Sequence, residues 1–242
     1  MAVRTATRAR TRFAALVRSR GVQFSRRKKQ FRDAANRQAY SGVHRFINKV
    51  FWNKSQWRDR LSVRAGAGDT SNGMQRGLRV HRELERWIKA ETSDKRRRMR
   101  LSPTSRNILN VLIIQLGCVP VQTEVTVACD VNKVATRIDI VCKRMDTNTL
   151  VIVEIKTGYG KPRFNAVNNQ GHLKPKEFRI IPQSHKVFAL LQAAVGAFLY
   201  KRTFPRARVT DAYVVRADSE NAESYKVPRH LACLVQNLML RC

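Results

Sequence analysis

Three short apolar stretches separated by four-residue polar turns do most to limit the folds open to this chain. Residues 121–129, 134–142 and 150–156 are rich in β-branched side chains, and each reads as a strand. Residues 130–133 and 146–149 are turn-like, and connections that short predict an antiparallel meander. Around it, a helix is predicted over 74–91 and another from Ser102-Pro103 to about 116. Ser184 caps a third helix to about 201, a strand follows over 208–215, and a helix covers 231–240. This order predicts an α/β fold with a central mixed sheet flanked by helices.

The predicted sheet carries three reactive side chains. Glu154 and Lys156 alternate with Ile155, so they share one strand face, and the hairpin sets Asp139 beside them. Two carboxylates on an apolar sheet are costly unless neutralised. A divalent cation does this: Mg²⁺ takes oxygen ligands and keeps waters for chemistry. Lys156 then orients the attacking water or stabilises charge on a phosphate. The competing reading is a solvated sheet face on which acids and lysines alternate without chemistry.

The charge balance selects the partner class. Lys+Arg number 48 against Asp+Glu 17, a net charge of +31, which draws polyanions. DNA is the expected partner. Charge alone fits a non-catalytic nucleic-acid-binding or packaging protein equally well. Residues 1–35 read as a basic arm or targeting segment, expected to be disordered, with eleven Lys/Arg and no acid up to residue 32. Such a segment suits a mitochondrial transit peptide, or a nuclear localisation signal or DNA-gripping arm. Nucleus and mitochondrion therefore both stay open. Residues 36–73 read as an amphipathic basic helical region followed by a Gly-rich linker. Tyr40, Val43, Ile47, Val50, Phe51 and Trp57 form either a packing face or an aromatic surface for single-stranded bases. The long polar stretch 158–182 carries Lys161, Arg163, Lys174, Lys176 and Arg179, placed to close over a phosphate backbone, or is an insertion. Five cysteines without a C-x-x-C pair argue for a reducing intracellular compartment and against a disulfide framework. No run of 18 apolar residues exists, so no membrane span is expected. Nothing in the sequence sets an oligomeric state.

The pattern Ile138-Asp139, fourteen residues, then Glu154-Ile155-Lys156-Thr157 resembles the core of the PD-(D/E)XK nucleases. The wider set is similar to their RecB-type, lambda-exonuclease-like branch, which includes the mitochondrial genome maintenance exonucleases. Gly77 and His81 match its G-x-x-x-H helix, Glu124 its acid on the first strand, and Gln192 its glutamine on the following helix. Thr136-Arg137-Ile138-Asp139 departs from the family's G-R-x-D, and Gly196 stands where an aromatic is expected, with Tyr200 one turn further on. The resemblance implies a restriction-endonuclease-like nuclease domain over 74–242. It implies a metal-dependent DNA nuclease, an exonuclease acting on ends or single strands in replication, recombination or repair. A structure-specific endonuclease or an inactive scaffold on the same fold are its alternatives. By the same resemblance His81, Asp139, Glu154 and the Ile155 carbonyl hold Mg²⁺ or Mn²⁺, Lys156 assists the nucleophile, and Gln192 positions DNA or water. Glu85 and Glu124 are possible additional acids, while Arg137 and His185 join the basic residues of 158–182 as DNA contacts. Some relatives hold an iron–sulfur cluster. Cys118, Cys233 and Cys242 lack its spacing, so no cluster is expected.

Overall fold

The computed structural model describes residues 21–25, 30–33, 35, 38–52, 68–90, 93–157, 161–175 and 181–241. The chain opens with strands β1 (Val22–Ser25), β2 (Gln30–Asp33) and β3 (Ala39–Gly42), then helices α1 (Val43–Val50), α2 (Gly68–Lys89), α3 (Ser93–Arg98) and α4 (Pro103–Asn110). A π-helical turn, Val111–Gln115, leads into β4 (Cys118–Cys129), β5 (Val134–Arg144) and β6 (Leu150–Lys156). Helix α5 (Lys161–Asn165), β7 (Val167–His172), β8 (Pro182–Ser184), α6 (His185–Thr203), β9 (Val209–Ala217), β10 (Ala222–Lys226) and α7 (Arg229–Arg241) complete it.

Strands β4, β5 and β6 form the expected antiparallel meander. Strand β6 then pairs in parallel with β9, and β9 antiparallel with β10, which gives the mixed sheet. The chain thus has the layered α/β architecture anticipated from the sequence, in keeping with a restriction-endonuclease-like core. One detail positions the site. Strand β5 holds β4 along one edge, but its other edge is shared: β3 pairs with Val134 and Ala135, while β6 pairs with residues 140–143. Between these two partners the edge of β5 has no strand neighbour among the described residues, and Asp139 lies at that fork.

The sheet is covered on both sides, so both faces of its central strands carry buried apolar residues. Leu150 and Ile152 of β6 enter one core with α1, α6 and α7, whereas Val151, Val153 and Ile155 enter a second core with α2 and α4. Glu154 and Lys156 continue the first of these faces by alternation. On β5 the alternation slips: Ile138 belongs to the first core and Ile140 to the second, with Asp139 between them.

Two local devices hold the helices that reach the site. Glu83 of α2 accepts from Ser102 N (2.9 Å), Ser102 Oγ (2.6 Å), Ser105 Oγ (2.7 Å) and Arg79 Nε (2.8 Å), which pins α2 to the start of α4. Ser184 caps α6 by accepting from Val187 N at 3.0 Å. Helix α6 is apolar on every side, as a helix buried in a core must be, and Gln192 is a polar exception within it.

Several expectations need correction. The basic arm ends earlier than residue 35: β1 and β2 are strands, and Val22, Phe31 and Tyr40 bury with Ala135 in a small core of their own. Residues 1–20 lie outside the described residues. Ile47 and Phe51 are fully buried and Trp52 is 4% exposed, so this region packs into the domain instead of presenting aromatics to bases. Trp57 lies outside the described residues. Helix α2 begins at Gly68, inside the stretch read as a linker, and 158–182 contains α5 and the β7–β8 hairpin. Strand β10 was not anticipated, because Ala222–Lys226 has too few apolar residues to show the alternation.

Candidate metal and catalytic site

The fork in β5 leaves Asp139 without a full strand partner, and its carboxylate takes the vacant role. Asp139 Oδ2 accepts from the Ile155 backbone N–H at 2.7 Å. Residues 123 and 125 of β4 pair with residues 140 and 138, so Glu124 stands across from Asp139. Glu124 has φ 54°, a left-handed conformation in which a non-glycine residue is strained. From the other direction α2 brings His81. Its Nδ1 lies 3.3 Å from Glu124 Oε1 and 3.6 Å from Asp139 Oδ1.

His81, Glu124 and Asp139 each offer one ligand atom, all within 4.8 Å of one another, and the group is able to hold a metal ion. Their side chains are 28%, 17% and 14% exposed, so the group is shielded yet open to solvent on one side. Gly77, one turn before His81, lets α2 approach β6: a Cβ there would meet Thr157 Oγ1 at 3.1 Å.

Electrostatics sharpen the picture. Burial alone would lower the His81 pKa, but Asp139, Glu124 and Glu154 together raise it to about 9. The Asp139 pKa rises to about 7, first through burial and then through Glu154, while His81, Lys156 and the Ile155 N–H oppose the shift. A protonated His81 imidazole thus supplies, between Glu124 and Asp139, positive charge of the kind a divalent cation would bring.

The other expected residues divide. Glu154 lies outside the trio: Lys156 Nζ holds its Oε1 at 2.7 Å, though its charge acts on Asp139. The Ile155 N–H faces Asp139, and in an extended strand the carbonyl of the same residue leaves on the same side. Arg137 Nη1 is 2.9 Å from Glu124 Oε2, and its guanidinium lies 4.4 Å from the centre of the Phe24 ring. Glu85 is taken by Lys89 at 2.6 Å and stays outside the group. Gln192 is 5% exposed and contacts His44, a residue sequence reasoning missed. The only hint of it was a histidine just off the apolar stripe of Val43, Ile47 and Val50. Tyr200 follows Gln192 by about two turns. It lies about 12 Å along α6 from Gln192, fully buried against Phe204.

The expected basic contacts fall on several elements. His185 opens α6, about 10 Å along the helix from Gln192. Arg163 is half-buried on α5, and Lys174 is exposed with Nζ donating to Lys49 O at 3.3 Å. Lys161 begins α5, but its side chain, like all of Lys176 and Arg179, lies outside the described residues. Cys118, Cys129 and Cys142 are buried thiols and Cys233 is an exposed one. No helix among the described residues is long and apolar enough to cross a membrane.

Comparisons with known proteins add little. No protein-family model matches the chain, and no curated protein matches it. A solved chain described as "Crystal structure of SSO0001" is similar at 14% identity over 56% of this chain, with a TM-score of 0.28. The match also spans 56% of that chain's length.

Proposed function

We propose that this protein is a metal-dependent nuclease that hydrolyses phosphodiester bonds in DNA, acting as an exonuclease on ends or single strands. The observation that carries this reading is the convergence of His81, Glu124 and Asp139 within 4.8 Å. They meet at the same end of the sheet as the Lys156–Glu154 pair. Two carboxylates and one imidazole suit Mn²⁺, and Mg²⁺ if waters complete its shell. By the resemblance, Glu154 and the Ile155 carbonyl would add to that set. A bound divalent cation there would acidify a water and neutralise charge on the phosphate. Lys156 serves the nucleophile: its ammonium sits beside Glu154 and donates to an incoming hydroxide or to a phosphate oxygen. The net charge of +31 draws the polyanionic substrate. The resemblance to the PD-(D/E)XK nucleases in Asp139, Glu154 and Lys156 supports the same chemistry.

End-labelled single-stranded, duplex and circular DNA with Mg²⁺, Mn²⁺ or a chelator tests the proposal. Wild type should cut only with metal, and Asp139→Asn and Lys156→Ala should each lose at least about a hundredfold in rate. Metal-independent cutting, or variants as fast as wild type, would sink the assignment. Circular substrates left intact would favour an exonuclease, and nicked circles an endonuclease. The high charge also favours a second reading, a non-catalytic nucleic-acid-binding or packaging protein. DNA binding without cleavage under every metal would establish it. Residues 1–35 fused to a fluorescent reporter would distinguish mitochondrial from nuclear delivery.

A further inference from the structure

Gln192 sits in the middle of α6 between the buried Leu191 and Ala193 and is itself 5% exposed. Its amide has one recorded contact: Nε2 lies 2.8 Å from Nε2 of His44. Its Oε1 is buried and has no hydrogen-bond partner among the described residues. A buried acceptor left unpaired is costly, so Oε1 calls for a donor, such as a water, that the described residues do not supply.

The partner is built to hold that amide still. His44 is the second residue of α1, exposed along one side, with its ring packed against Phe188 at 5.1 Å between centroids. Phe188 meets Trp52 edge-on at 5.0 Å, so a ladder of rings fixes the imidazole. With Gln192 Nε2 as the donor, His44 Nε2 accepts and the ring proton sits on Nδ1. Crowding and then the Lys156 ammonium lower the His44 pKa, with Glu154 opposing, which keeps the ring neutral and able to accept. The same charges show that His44 shares the field of the catalytic strand.

We propose that His44 is a positioning residue of the candidate site: it accepts from Gln192 Nε2 and so holds Gln192 Oε1 ready to accept a hydrogen bond from the attacking water. The inference rests on the nuclease reading and deepens it. It makes α1, which precedes the catalytic strands by far in sequence, a working part of the site.

The test uses the full chain with Mn²⁺ and end-labelled single-stranded DNA. His44→Ala should lower kcat by about ten- to a hundredfold. KM and calorimetric Mn²⁺ affinity should stay within about twofold. His44→Gln, whose amide oxygen reaches the place of Nε2, should restore most of kcat. In a Gln192→Ala background, His44→Ala should cost nothing further, because a residue acting through another has no separate effect. An equal loss in that background, an unchanged kcat, or an effect confined to KM or metal affinity overturns the proposal. A second readout does not depend on cleavage. In histidine-labelled protein, the ¹⁵N spectrum should show His44 Nε2 as the unprotonated nitrogen, and Gln192→Ala should shift it. A protonated Nε2 refutes the positioning even in an active enzyme. A wild type that cuts no DNA, with the expected His44 spectrum, instead removes the nuclease reading beneath it.

Discussion

Raising the pH should tighten Mn²⁺ binding at the His81–Glu124–Asp139 group steeply, because the ion must displace protons that the group holds at neutrality. Ligands bind a cation only when deprotonated. His81, held near 9 by the surrounding carboxylates, is protonated at pH 7, and Asp139, raised to about 7 by burial and Glu154, is about half protonated. These are apparent values of a coupled trio. Treated so, apparent affinity should rise about 300-fold between pH 6.5 and 8.5. The sign follows directly: both groups have raised pKa values, so protons compete most below pH 7 and hardly at all above pH 9. Anaerobic calorimetric titration in buffers of different ionisation enthalpy counts the protons released. About 1.5 should leave the group per ion at pH 7 and about one at pH 8. His81→Ala should reduce release at pH 8 but not abolish it, because loss of the imidazolium lets the Asp139 pKa rise further. Binding that releases no proton and changes less than about threefold across this range would refute the shared-proton account.

Other expectations follow from the supporting structure. Four hydrogen bonds on the buried Glu83 carboxylate outweigh its burial and hold its pKa at about 2, against 4.5 ordinarily, a stabilisation of about 3 kcal/mol. That stability is fully present above pH 4.5 and is lost as the pH falls towards 2. Glu83→Gln should therefore cost about 2–3 kcal/mol in urea melts at pH 7, with the gap closing in acid, and an unchanged midpoint would contradict this. Gly77→Val should crowd Thr157, displace α2 and weaken Mn²⁺ binding by about tenfold, as calorimetry would show. A chain beginning at residue 53 loses Val43, Phe46, Ile47, Phe51 and Trp52 from the core and should not melt cooperatively. A soluble, cooperatively melting fragment would mean that the N-terminal unit is dispensable.

The meander was legible because its signals are local. Alternating β-branched residues and polar tetrapeptides fix β4, β5 and β6 without reference to the rest of the chain. Asp139, Glu154 and Lys156 could be placed on their strands for the same reason. Glu124 was harder: its role depends on a left-handed turn of the backbone that no propensity signals. The strands β1 and β2 were hidden by their surroundings. Arg26, Arg27, Lys28 and Lys29 dominate the reading of that segment, while Phe24 and Phe31 supply the burial that decides it. His44 was invisible because its meaning lies wholly in a partner 148 residues away. Interactions of that span leave no periodic trace.

The pairing of β3 has a consequence for how the chain is made. Ser41 and Gly42 find their strand partners at Val134 and Ala135, about ninety residues later. Until the ribosome has delivered those residues and then α6, the apolar side of α1 has nothing to dock against. Ile47, Phe51 and Trp52 are thus exposed for much of translation, on a nascent segment whose neighbours are strongly cationic. Synthesis order and assembly order run in opposite directions here, so the earliest part of the domain to emerge is among the last to settle, and is where a chaperone would find its grip.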